Sequence, residues 1–195
     1  MAMLWAALSC VVGAVLLVAG IPKVTDNQRM IRAVRGYRLL PDQLAVVVGR
    51  VLPWLEIVLG VGLILGIAPV VTGAVASAMF VVFFAGLTIN LLRGSRDLDC
   101  GCFAFSAGGE EVAHIGWWHS ARAASFAILA AAVTLTPEIG VFDRLTGTGV
   151  GLFVVALVWV GVYARSVMSF GRRPIDDYLT NAAIELRAIS SVSRY

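Results

Sequence analysis

Residues 44–92 read LAVVVGRVLPWLEIVLGVGLILGIAPVVTGAVASAMFVVFFAGLTINLL, and Arg50 and Glu56 are their only charges. At ~1.5 Å of helical rise per residue, this stretch is far longer than the ~30 Å hydrocarbon core of a bilayer. It must therefore fold back on itself. Gly66-Ile67-Ala68-Pro69 supplies the turn, which predicts membrane spans over residues 44–65 and 70–92. Working outward, residues 3–21 carry no charge and form an earlier span. They lack the basic start of a signal peptide and are too long for its apolar region, so the segment is read as a retained helix. Two further spans are expected over residues 117–135 and 150–170.

The composition agrees. Of the 195 residues, 59% are hydrophobic and 14% charged, against the ~25% charged of soluble domains, and mean hydropathy is +0.90. A water-soluble domain of this length could not bury that much apolar surface. Disorder needs low hydrophobicity and high net charge, and the formal net charge is only +3. The basic balance is no argument for nucleic acid, since in a membrane protein the question is where the charges sit. The expected fold is an all-α integral membrane bundle of about five transmembrane helices, a four-helix core plus one, occupying residues 1–170. Trp5 and the pair Trp117-Trp118 stand near span ends, as interfacial anchors do.

Two segments outside the spans are amphipathic. Residues 26–40 follow a capping-box spacing in Thr25-Asp26-Asn27-Gln28. Met30, Ile31, Val34 and Tyr37 then recur at helical spacing opposite Arg29, Arg32, Arg35 and Arg38. That is the pattern of a helix lying in the headgroup region, ended by Pro41. The tail, residues 171–195, repeats it more weakly with Ile175, Leu179, Ala182, Leu186 and Ile189.

The polar loop 93–116 carries the chemistry. Cys100-Gly101-Cys102 stands in it, preceded by Asp97 and Asp99 and, further back, by Arg93 and Arg96. Cysteines so close can be bridged only if the backbone bends, which Gly101 permits. A strained, exposed disulfide of this kind is labile and catalytic rather than a structural staple. Three cysteines in the chain are too few for a disulfide scaffold, and Cys10, midway into the first span, reads as a packing residue. A second reading of the loop is a metal site, because Cys100, Cys102, His114 and His119 together make a tetrahedral zinc set. Cys-x-Cys is shorter than zinc-knuckle spacing, however, and each histidine is equally well a helix-end interfacial residue.

Buried ionisable groups are the other signal. Glu56 lies ~18 Å into its span, where a carboxylate must be paired or protonated. Arg50 and Arg122 are each about two turns inside their spans, and Asn90 approaches from the same side. These four form a candidate polar site in the half of the bundle nearest Cys100. Arg50 and Glu56 are six residues apart and point to different faces of one helix, which leaves Arg122 as the expected partner of Glu56. The plain alternative is that the charges only hold helices together.

Lys23 and Asp26, Tyr37-x-x-Leu40-Pro41, Leu52-Pro53-Trp54-Leu55-Glu56 through Gly60, Arg93-Gly94 with Asp99-Cys100-Gly101-Cys102-Phe103, and Ile115-Gly116-Trp117 with Arg122 resemble the MauE/DoxX-like family of redox-associated membrane proteins. The resemblance covers about residues 10–135. The chain has Ala104 and Ala123 where the family usually has Gly and Asn. The resemblance implies a bundle that helps a thioredoxin-like partner form or maintain disulfides in a client enzyme. The Cys-Gly-Cys placement is also similar to the redox pair of vitamin K epoxide reductases, which pass electrons to a quinone.

The leading expectation is thus a plasma-membrane thiol–disulfide redox protein. Cys100 and Cys102 exchange with a thioredoxin-fold partner, and Glu56, Arg122, Arg50 and Asn90 support a site that accepts electrons or binds a quinone. The competing expectation is a non-catalytic accessory subunit of a larger membrane complex. A third is a transporter or metal-handling protein. Counting Lys and Arg in the loops puts the cysteine loop in the cytoplasm. Disulfide chemistry, which persists in oxidising compartments, puts it outside, and this second orientation is the one expected.

Overall fold

The computed structural model describes residues 2–94, 116–137 and 139–170, with side chains to residue 165. Six α-helices and no strand occur among the described residues. They are α1 (Ala2–Thr25), α2 (Asn27–Gly36), α3 (Asp42–Leu65), α4 (Pro69–Leu92), α5 (Trp117–Val133) and α6 (Val141–Phe170). The chain divides into two compact units, residues 1–155 and 156–195. Helices α1 to α5 belong to the first; of the second, only the continuation of α6 to Phe170 is described.

Four of these helices, α1, α3, α4 and α6, are long and apolar enough to cross a membrane. The protein is an all-α, multi-pass membrane protein. Helix α5, the fourth expected span, has 17 residues, or ~26 Å of helix, and is the shortest of the long elements. It stops at Val133, where Thr134, Leu135 and Thr136 bond back three residues instead of four. Helix α6 starts at Val141, well before the expected residue 150. Gly147 and Gly149 precede the expected span and Gly151 stands at its start, and Gly147 and Gly151 are contact positions. A Cβ at Gly147 would lie 2.5 Å from the Met3 carbonyl, and one at Gly151 would lie 2.8 Å from Cys10 Cβ.

The core belongs to α1, α3, α4 and α5. Val12 and Leu16, Leu59 and Leu63, Ala76, Met79 and Phe80, and Ala127, Ala130 and Val133 form one buried cluster drawn from all four. Without a hydrophobic drive between helices in lipid, close packing depends on small residues and on polar links. Both are present. Gly13 and Gly60 face each other so closely that a Cβ on either would be 2.7 Å from the other's carbonyl oxygen. Ser9 Oγ donates to the Leu63 carbonyl at 2.7 Å, Ser77 Oγ to the Ala127 carbonyl at 2.9 Å, and the Thr88 and Ser120 hydroxyls share a 2.7 Å bond. These pairings run antiparallel, α1 with α3 and α4 with α5.

The turn between α3 and α4 falls where expected. Gly66 sits at φ 68°, ψ 35° as the left-handed cap of α3. Ile67 N–H bonds the Gly62 carbonyl and Gly66 N–H the Leu63 carbonyl, which is the Schellman arrangement. Helix α2 exists, but its cap differs from the capping-box expectation. Thr25 belongs to α1 and donates to the Pro22 carbonyl, while Asp26 caps α2 by accepting from Arg29 N–H at 3.0 Å. Met30, Ile31 and Ala33 of α2 are buried, and the helix packs on α3. Arg29, Arg32, Arg35 and Arg38 are all exposed.

Candidate functional site

The antiparallel pairing of α1 and α3 sets the register of the site. A Cβ at Gly20 would touch the Pro53 carbonyl and Glu56 Cβ at 3.0 Å each. Lys23 follows Gly20 by three residues, so it shares that face of α1. In a helix each side chain leans toward its own N-terminus. In an antiparallel pair, Lys23 and Glu56 therefore lean toward one another. Lys23 Nζ donates to both carboxylate oxygens of Glu56, at 2.6 and 2.8 Å. The ion pair is enclosed, with side-chain exposures of 7% and 1%.

Aromatic rings complete the enclosure. Lys23 Nζ lies 5.7 Å from the centroid of the Phe83 ring, within cation–π range. Phe80 meets Phe83 edge-on at 6.4 Å and stacks on Phe126 at 5.5 Å. Beside the pair is a cavity of about 30 Å³ lined by Glu56, Arg122, His119 and apolar residues including Phe80, Phe83 and Phe126. It has room for a water molecule.

The expected site residues are thus only partly brought together. Glu56 and Arg122 do line one cavity, but the direct partner of Glu56 is Lys23, not Arg122. Lys23 had looked like a loop charge, yet it lies in the last turn of α1 and is buried. Arg50 is exposed on α3 and stands outside this enclosure. Asn90 is buried near the end of α4, where its amide donates to the Gly86 carbonyl at 3.0 Å, and it is not among the residues lining the cavity. His119 is half-buried; its Nδ1 accepts from Gly116 N–H at 3.2 Å, reaching back to the start of α5. Of the alternative zinc set, Cys100, Cys102 and His114 lie outside the described residues, as do the rest of residues 95–115 and the amphipathic tail 171–195. Among the described residues no three His, Cys, Asp or Glu side chains cluster as metal ligands. Cys10 is buried and its thiol donates to the Thr148 carbonyl at 3.5 Å, a packing role.

One end of the bundle therefore collects the last turn of α1, helix α2, the end of α4 and the start of α5 with His119 and Arg122. Residues 94 and 116, which flank the cysteine-bearing segment, belong to that same end. The family described as "Methylamine utilisation protein MauE" matches residues 1–136. The chain belongs to the MauE family. The MauE match covers α1 to α5 and stops before α6. Curated relatives from several bacteria carry the name "Methylamine utilization protein MauE". The one from Methylorubrum extorquens is 31% identical over 155 residues, spanning 77% of this chain and 79% of its own length. That from Methylophilus methylotrophus is 32% identical over 129 residues, or 66% of each chain. The Paracoccus denitrificans protein is 38% identical over 100 residues, covering 51% of this chain and 53% of its own. No solved structure matches the chain significantly.

Proposed function

We propose that this MauE-family protein is a membrane thiol–disulfide exchanger that supports maturation of a client enzyme in methylamine utilisation, the process for which its relatives are named. The observation that carries the proposal is the polarity of the bundle. The buried Glu56–Lys23 pair and the half-buried Arg122 and His119 gather at the end to which the Cys100-Gly101-Cys102 segment is attached.

In the proposed exchange, a thiolate of a thioredoxin-fold partner attacks one sulfur of a Cys100–Cys102 disulfide. That S–S bond breaks as the mixed disulfide forms. The partner's second thiolate then displaces the remaining cysteine, leaving the partner oxidised and Cys100 and Cys102 as thiols. Two electrons and two protons have passed to the pair. A membrane quinone is the proposed oxidant that removes them, becoming quinol and restoring the disulfide. Glu56, Lys23 and Arg122 hold charge and protons at the base of this end, while Asn90 and Arg50 lie further out.

The accessory-subunit reading has one observation in its favour. Lys23 already neutralises Glu56, so structural pairing alone accounts for a buried carboxylate. Single-cysteine variants separate the two readings. With Cys100→Ser or Cys102→Ser, the exchanger stalls as a mixed disulfide with a thioredoxin-fold protein, visible on a non-reducing gel and absent from the double variant. Full client maturation by the double variant, with no trapped species, leaves the accessory role instead.

A further inference from the structure

A cleft of about 420 Å³ opens between α3 and α4 beneath α2 and the 37–40 connection. Its walls include Met30 and Val34 of α2, Leu52 and Leu55 of α3, and Met79 and Val82 of α4. The volume is that of a small-molecule site. Among the described residues Lys23 is the one charged residue in the lining, and both oxygens of Glu56 already hold its ammonium at 2.6 and 2.8 Å. The interior therefore suits hydrocarbon and gives a charged head no reason to enter.

The rim is of the opposite character. Helix α2 forms part of the wall with its buried face and turns Arg29, Arg32 and Arg35 outward, and Arg38 follows just after the helix, all four exposed. Asp42, paired with Arg35 at 3.4 Å on an exposed surface, and Asp26, the cap of α2, partly offset this stripe. Leu39 and Leu40, exposed and part of the lining, carry the apolar wall out to the arginines. An apolar cleft that opens beside a basic interfacial helix complements an acyl tail below an anionic head.

We infer that the cleft is a retained-lipid site: it holds one acyl chain of an anionic glycerophospholipid whose phosphate is bound by the arginine face of α2. The site is separate from the cysteine chemistry and stands if that proposal fails. It ties the position of α2 on α3 to the lipid charge of the leaflet at that end.

Native mass spectrometry of the purified full-length protein, titrated with phosphatidylglycerol or phosphatidylcholine, tests this. Phosphatidylglycerol is expected to stay bound at detergent concentrations that strip phosphatidylcholine. Arg32→Gln and Arg35→Gln should each weaken phosphatidylglycerol binding about fivefold at low salt and leave phosphatidylcholine unchanged. Ala78→Phe, which places a ring in the cleft from an exposed position, should abolish retention of both lipids while thermal unfolding stays unchanged. Equal binding of the two lipids, retention that survives Ala78→Phe, or an isoprenoid quinone as the co-purifying amphiphile overturns the inference.

Discussion

Replacing Glu56 by Gln leaves the Lys23 ammonium enclosed beside Phe83 with no counter-charge. Breaking a buried pair from one side costs about 3–5 kcal/mol, whereas replacing both partners with apolar side chains of similar size is often close to neutral. Thermal unfolding in a fixed detergent should therefore show Glu56→Gln and Lys23→Met each strongly destabilised, and Lys23→Met/Glu56→Leu recovering most of the loss. If the double variant is stable but no longer supports client maturation, the pair does more than hold α1 to α3. Full maturation would reduce it to a structural link. Glu56 was legible in the sequence as a group needing a partner, but the partner was not. Lys23 is 33 residues away and sits where an apolar span gives way to polar sequence, so it reads as a loop charge. The available signal was the spacing of Gly13, Gly20 and Lys23, which places them on one face of α1. Arg122 is the expected partner because Arg50, six residues from Glu56, points to another face of the same helix; in the structure Arg122 reaches the same cavity without taking that place.

Among the elements, contacts at glycine decide which helices meet. Gly60→Leu would drive a side chain into the Gly13 carbonyl and the Leu17 side chain. Loss of the folded monomer peak in size-exclusion chromatography is the expected result. Gly149→Ala, whose Cβ meets nothing within 4 Å, should elute and unfold like the parent protein. Gly66→Ala puts a Cβ on a left-handed backbone at φ 68°, while the Arg144 guanidinium beside it can swing aside, and the backbone strain is expected to lower the unfolding temperature. Helix existence was readable from apolar run length, and the Gly66–Pro69 turn from its turn residues. The starts and ends were less so. Gly147 and Gly149 stand before the apolar run and resemble a linker until the contact of Gly147 with α1 is known, and Thr25 caps nothing because α1 continues through Pro22 to reach it. Periodicity records which face is apolar; it does not record what small residues will be packed against.

At the scale of the whole molecule, membrane orientation is tied to function. Lys23 drops out of the basic count for the first loop because Glu56 cancels it, and Arg35 is partly offset by Asp42. The remaining arginines of that loop, Arg29 and Arg32 on α2 and Arg38 just after it, are exposed, where anionic headgroups can hold them on either face. Extracytoplasmic placement of residues 95–115 predicts that a membrane-impermeant maleimide labels Cys100 and Cys102 in intact cells after mild reduction. Labelling only after lysis places the loop in the cytoplasm. The membrane setting was legible from composition, because no soluble fold hides this much apolar surface, and the all-α bundle from apolar runs long enough to span as helices. The cysteine pair was legible only as a motif, since spacing and a flexible glycine do not say whether two cysteines cycle. Counting alkylated thiols by mass spectrometry in the bilayer-reconstituted protein answers that directly. After equilibration with reductant, Cys100 and Cys102 should both carry the alkyl group. After a thiol oxidant neither should, and buried Cys10 should stay unmodified in both states until the protein is unfolded. Identical labelling of Cys100 and Cys102 under reducing and oxidising conditions would contradict the proposed exchange.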